Sequence, residues 1–444
     1  MTLLTLCLAV LIAQIDTSVV NLALHSIGQY FHTDVSLLQW TVDGYNLTYA
    51  ALLLTGGLLA DLYGRRRLFM TGAAVFILAS LICAGATSMS ILLFGRVAAG
   101  LGAALLLPAS LAIIRVCWPD PHARGRALGI WAACNGLALA IGPSLGGEMI
   151  HSFGWRSIFL LVVPIGLITL VLAVFSIPES SHPGGRHFDA GGQLSGAIAL
   201  AALATAGIEF QNAPSLAAFS LAITAIAIAF FIRQESRRGE QALVPLALFT
   251  SPVFNGAMIA TAAMTFGMYG VLFLLPLSWQ KEGLLGPAGA GIALIPMALI
   301  FVLVSPFSGW LTERLGNRPV TSSGVGLIGC GLLLLAVTAH DESMIAAEVA
   351  LILTGIGMGL ATGPLMGVAV GAVSAARSGS AAALVNVARM SGATLGVAVL
   401  GSLFAIMGSN ANGLSTAMAF GGGIQIAAAI LAWRTTRPLP QQTG

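Results

Sequence analysis

The chain has 444 residues, 57% of them hydrophobic and 8% charged, with a formal net charge of +3 and a mean hydropathy of +0.94. Ordinary soluble proteins carry about 25% charged residues, so this composition excludes a soluble enzyme or binding domain and marks an all-α integral membrane protein. The small, dispersed charge excludes a nucleic-acid partner; the lipid bilayer is the surrounding solvent.

A spanning helix needs about 20 mostly apolar residues. Runs of that kind, bounded by charge, Pro or Gly clusters, predict spans 1 to 6 near residues 3–24, 38–61, 68–87, 91–115, 126–150 and 156–177. The first begins at Leu3 with no basic region before it and no small-residue cleavage site after it, so it reads as a span and not a removable signal. A polar stretch, PESSHPGGRHFD, precedes spans 7 and 8 near 190–211 and 216–232. Six further spans follow near 252–278, 288–312, 320–338, 345–367, 380–408 and 416–433. With the N-terminus inside, 15 of the 19 basic residues fall on the cytoplasmic side, Arg186 and Arg437 among them. The positive-inside rule therefore selects an even span count with both termini cytoplasmic, in a cell (inner) membrane.

GGLLADLYGRRR between spans 2 and 3 is echoed by SGWLTERLGNRP between spans 10 and 11. Gly57, Asp61 and Gly64 thus correspond to Gly309, Glu313 and Gly316, and the first and last six spans form a parallel repeat. The organisation expected is an N-terminal six-helix bundle at 1–180, two inserted helices with their loops at 181–251, and a C-terminal six-helix bundle with a short tail at 252–444. Repeats of this kind, with a binding site at their interface, are transporter architecture.

Within the spans, ionisable residues are costly and face a cavity or a partner. Asp16 lies in span 1, where Gln14, Ser18, Asn21 and His25 form one polar stripe and Asp16 falls about 160 to 200° from most of it on an ideal helix. Two faces of span 1 are therefore polar, one suited to substrate and the other to an exchangeable proton. In span 2, Asp43 shares a face with Asn46, Ala50, Gly57 and Asp61; Tyr45 is a further candidate residue of the substrate cavity. Arg96 in span 4 lies at a depth similar to Asp43 and lowers the cost of a nearby carboxylate. Arg389 in span 13, on a face with Asn386, Gly392 and Gly396, reads as a gate or packing residue. The five cysteines show no metal-ligand spacing and no nucleotide-binding loop occurs, so no cofactor or metal is expected and no catalytic set.

The stretch Gly57-Leu58-Leu59-Ala60-Asp61-Leu62-Tyr63-Gly64-Arg65-Arg66-Arg67 resembles the loop signature of the major facilitator superfamily. Gly129 with Gly142-Pro143-Ser144-Leu145-Gly146-Gly147 in span 5 resembles its antiporter motif. Fourteen spans, IDTSVVNLAL, QWTVDGYNL, GWRSIFLLVVPIG and ARMSGATLGVAVLG narrow the resemblance to the fourteen-span drug:proton antiporters of the EmrB/QacA type. His25, Ala99 and Ala138 depart from that pattern where proline, glutamine and glycine are usual. The resemblance implies a major facilitator fold of fourteen transmembrane helices, and a gate of Gly57, Asp61, Gly64 and Arg65 in which Asp61 caps the start of span 13 near Ser378 to Ser380.

The expectation is a proton-coupled antiporter that exports small lipophilic or monocationic compounds by alternating access, as a monomer. Its partners are the small-molecule substrate and protons, with Asp16, Asp43 and Arg96 coupling them. A proton symporter or facilitator for a small metabolite, and a non-transporting membrane sensor or lipid-handling partner, stand as alternatives.

Overall fold

A computed structural model describes residues 1–181, 189–210, 213–239, 244, 246–340, 344–373 and 377–436. Arg186 and Arg437 lie outside the described residues, as do the side chains of Ser378 to Ser380. The helices in chain order are α1 (Thr2–Phe31), α2 (Val35–Tyr63), α3 (Arg65–Ala84), α4 (Met89–Cys117), α5 (Pro121–Phe153), α6 (Ser157–Ser176), α7 (Ala190–Ile208) and α8 (Pro214–Arg238). They continue as α9 (Pro252–Lys281), the short α10 (Pro287–Ala293), α11 (Ile295–Leu315), α12 (Asn317–Val337), α13 (Met344–Gly371), α14 (Ser378–Ile406) and α15 (Ala411–Thr435). No strand occurs among the described residues.

Local chemistry sets several helix starts. Asp34 accepts the Leu37 N–H at 3.1 Å, Ser88 the Ile91 N–H at 3.4 Å and Asp120 the Ala123 N–H at 2.7 Å, each satisfying a donor that the first turn leaves unpaired. Large apolar side chains such as Phe175, Phe219, Ile226 and Phe307 are exposed, while Asp16, Asp43 and Arg96 are buried. That is the inverse of a soluble protein and fits a fold whose solvent is hydrocarbon.

Thirteen helices among the described residues are long and apolar enough to cross a membrane, with α10 and α11 together making one of them. The expected second span, α2, is not in that set. At 29 residues it is long enough, but Gln39, Thr41, Asp43, Asn46 and Thr48 make it the polar helix of the first unit.

The described chain forms two compact units, residues 1–243 with 275–295, and residues 244–274 with 296–444. In the first, glycines let backbones touch: a Cβ at Gly56 would strike the Ala104 carbonyl, and Gly72 and Gly102 bring α3 against α4. In the second, Gly324 and Gly357 do the same for α12 and α13. The repeat is visible again at the turns. Gly64, at φ +108°, separates α2 from α3, and Gly316, at φ +85°, separates α11 from α12; only glycine takes such backbone angles without strain.

Candidate functional site

Asp16 and Arg96 meet in the first unit. The Arg96 Nη1 donates to the Asp16 Oδ2 at 2.6 Å, and both side chains are only 1% exposed. Arg96 also donates from Nε to the Thr41 carbonyl of α2 at 2.8 Å, and its guanidinium lies over the Tyr45 ring at 4.8 Å. One arginine on α4 thus ties α1 to α2. Its planar fork allows this, because two donors point in different directions while the face stacks on an aromatic ring.

The polar stripe on the other side of α1 takes different partners. Ser18 donates to the Ile15 carbonyl at 3.1 Å and Asn21 to the Thr17 carbonyl at 3.2 Å. Gln14 and His25 are half-buried. The Asn21 Oδ1 is buried with no hydrogen-bond partner among the described residues.

Asp43 has no exposed surface, and neither of its carboxyl oxygens has a hydrogen-bond partner among the described residues. Asn46, three residues on and equally buried, has no hydrogen-bond partner for either side-chain amide atom among the described residues. Burying a polar group without a partner costs roughly 1 to 3 kcal/mol, and an isolated charge far more. Two such groups on one face of one helix mark a place where a proton or ligand can supply what the protein does not. Arg96 serves Asp16 and not Asp43.

At the opposite end of α2, Asp61 pairs with Arg65, with Oδ1 to Nη2 at 2.7 Å. Gly57 lies in ordinary contact with Pro108 of α4. Glu179, after α6, accepts the Arg66 and Arg67 backbone N–H groups at 3.2 Å each, and the Ser180 carbonyl accepts the Arg65 N–H at 2.9 Å. Glu179 therefore caps α3, an acid at a helix N-terminus where the backbone dipole favours it. The sequence reading missed this residue. Its signal was an acid in the first polar stretch after span 6, facing three successive arginines.

In α5, a side chain at Gly142 would collide with Ser18, and one at Gly146 with Val19, so these glycines set the approach of α5 to α1. Gly147 faces the Pro287 carbonyl, where a Cβ would sit at 2.5 Å, and Gly291 of α10 meets the carbonyl of Pro143, a proline inside α5. Gly129 is different: it is exposed, and a Cβ there meets nothing within 4 Å. In the second unit Gly392 and Gly396 bring α14 onto the Ala262 and Phe266 carbonyls of α9. The related pairs α5 with α1 and α14 with α9 are thus built alike. Arg389 is half-buried, and its Nε has no hydrogen-bond partner among the described residues. Gln280 of α9, another residue passed over in the sequence, donates to the Leu22 carbonyl of α1 at 3.0 Å.

The profile of the Major Facilitator Superfamily matches residues 6–397. The chain is 34% identical over 394 residues to the multidrug resistance protein Stp of Mycobacterium tuberculosis, covering 88% of this chain and 73% of that protein. It is 32% identical to a methylenomycin A resistance protein of Bacillus subtilis, covering 97% and 93% respectively. Among solved structures, a peptide transporter crystallised with sulfate superimposes with a TM-score of 0.74 at 16% identity, over 98% of this chain and 94% of that one. That last likeness is one of fold.

Proposed function

Because the chain belongs to the Major Facilitator Superfamily, a group of transporters and not enzymes, we propose that it is a proton-coupled antiporter that exports small lipophilic or monocationic compounds by alternating access. Relatives named for multidrug and antibiotic resistance support export of a drug-like substrate. Counting the polar α2 as a crossing helix makes fourteen spans, the EmrB/QacA type, with six, two and six helices, both termini cytoplasmic and a single chain as the working unit.

The observation that carries the proposal is the pairing of unlike carboxylates. Asp16 is held by a buried arginine, whereas Asp43 is buried with no hydrogen-bond partner for its carboxyl oxygens among the described residues. A carboxyl that alternates between a cation and a proton can couple proton movement to helix movement, since losing either partner costs several kcal/mol in a dry site. In this account a proton arriving from outside neutralises Asp16 and releases Arg96, which then lets α1 and α2 separate. Asp43 takes part as the second acid of the path. Gln14, Ser18, Asn21, Tyr45 and Asn46 line the substrate side, with the unpaired atoms of Asn21 and Asn46 as its hydrogen-bonding groups. Gly57, Asp61, Gly64, Arg65 and Arg389 form gates, and Gly142, Pro143, Gly146 and Gly147 set the close packing that resists leakage.

Purified protein in weakly buffered detergent tests this by the protons it releases when substrate is added. A panel of lipophilic cations and neutral antibiotics should include compounds that release protons from the wild type and none from Asp16→Asn. Equal release from both proteins would remove Asp16 from the exchange.

A further inference from the structure

We infer that the inserted hairpin of α7 and α8 is a brace on α2, with Glu209 and Gln193 as positioning residues for the face of α2 that bears Asp43 and Asn46. The inference rests on the proposed use of Asp43 in coupling.

Two anchors carry it. Glu209 follows the last residue of α7, and its Oε1 accepts from the Ser36 hydroxyl at 3.1 Å and from the Trp40 indole Nε1 at 3.4 Å. Sixteen residues earlier, the buried Gln193 donates from Nε2 to the Ala51 carbonyl. The order is antiparallel, the start of α7 lying beside the middle of α2 and the end of α7 beside its start. At 1.5 Å per residue the two anchors on α2 are roughly 16 to 22 Å apart, and they bracket Asp43 and Asn46. On an ideal helix Ser36, Trp40 and Ala51 all lie within about 80° of Asp43.

The brace itself is stiffened. Asp189, 2% exposed, stands 3.4 Å from Arg238 of α8. Gly191 and Gly192 bring α7 close to Gln234 and Glu235 of that helix. Contacts of α2 with α4 combine glycine against backbone, as at Gly56 and Gly100, with the Arg96 bond to the Thr41 carbonyl and its stacking on Tyr45. Glycine packing gives close fit but little resistance to sliding, and the Arg96 hold is the one the proposed cycle releases, whereas the three side-chain hydrogen bonds made by Glu209 and Gln193 stay in place and fix register. The polar α2 therefore moves with α7 and α8 as one body, and the depth of Asp43 is set from outside the six-helix core.

The test uses the full chain in liposomes, with the five native cysteines replaced and spin labels at Leu37 and Phe210, which are 37% and 63% exposed. The wild type should give one narrow distance distribution. Glu209→Ala should broaden it, Glu209→Gln should keep it narrow because the amide oxygen still accepts both bonds, and Ser36→Ala with Trp40→Phe should reproduce the broadening from the other side. In the same liposomes Glu209→Ala should lower the maximal rate of pH-gradient-driven export about ten-fold, the scale of losing bonds to a charged acceptor, with KM unchanged and recovery in Glu209→Gln. A distribution that stays narrow in Glu209→Ala, or one that broadens without loss of export, overturns the brace. An Asp43→Asn protein that still exports against its gradient would defeat the proposed use of Asp43 while leaving the distance result standing.

Discussion

Replacing Arg96 by methionine separates what the buried ion pair does for stability from what it does for transport. Three contacts go at once: the 2.6 Å bond to Asp16, the 2.8 Å bond to the Thr41 carbonyl and the stacking on Tyr45. Thr41 retains its place in the helix ladder and Tyr45 its apolar packing, so the dominant loss is the cation opposite a carboxylate that is itself 1% exposed. Breaking a buried pair in this way costs about 3 to 5 kcal/mol, whereas replacing both partners by apolar residues of similar volume is close to neutral. Arg96→Met should therefore lower the free energy of unfolding in detergent by about 3 to 5 kcal/mol. The double variant Asp16→Leu with Arg96→Met should regain most of that loss and still fail to drive uphill export. Denaturant titration followed by tryptophan fluorescence reads the first quantity and liposome efflux the second. If the single variant is as stable as wild type, the pair is not the closed, desolvated contact described above. If the double variant transports against a gradient, the pair has no part in coupling.

Gly147→Ala should force α5 from α10, because the new Cβ would lie 2.5 Å from the Pro287 carbonyl; we expect a destabilisation of about 1 to 3 kcal/mol and slowed transport. Gly423→Ala, where nothing lies within 4 Å, is the control, and equal behaviour of the two would deny the close approach its mechanical meaning. Glu179→Ala should cost α3 its cap, about 0.5 to 2 kcal/mol, and raise hydrogen exchange at the Arg66 and Arg67 amides; unchanged exchange there would refute the capping role. Asp61→Asn should weaken its tie to Arg65 and increase thiol labelling of a cysteine placed at Tyr63, a site already 67% exposed, and identical labelling rates would show that the loop is held by other contacts.

What sequence pattern can carry is what the helix period and the repeat encode. The angle between Asp16 and the stripe of Gln14, Ser18 and Asn21 follows from 100° per residue, and in the structure Asp16 turns to α4 while Ser18 lies against α5. The match of Gly64 with Gly316 follows from twelve aligned residues, and both adopt positive φ. Partner identity is another matter. Depth along the membrane put Arg96 beside Asp43, because both lie a similar distance from the outer ends of their spans; the fold instead gives it to Asp16, 80 residues away. Nothing periodic distinguishes Gly129, which is exposed, from Gly142, Gly146 and Gly147, which are buried. The hold of Glu209 on Ser36 and Trp40 joins residues about 170 apart and leaves no local signature, since a polar residue at the end of an apolar run is read first as an interface residue.

The central claim is that the titratable Asp16 links proton entry to substrate exit. Asparagine keeps the size and still accepts the Arg96 bond but carries no exchangeable acid proton. Wild type, Asp16→Asn and Asp43→Asn, reconstituted side by side and assayed for substrate efflux with and without an imposed pH gradient, test it most directly. The account predicts that wild type concentrates substrate in response to the gradient, while Asp16→Asn exchanges substrate for substrate but does not concentrate it. An Asp16→Asn protein that still concentrates substrate, beside an Asp43→Asn protein that does not, would contradict it and move the proton site to α2.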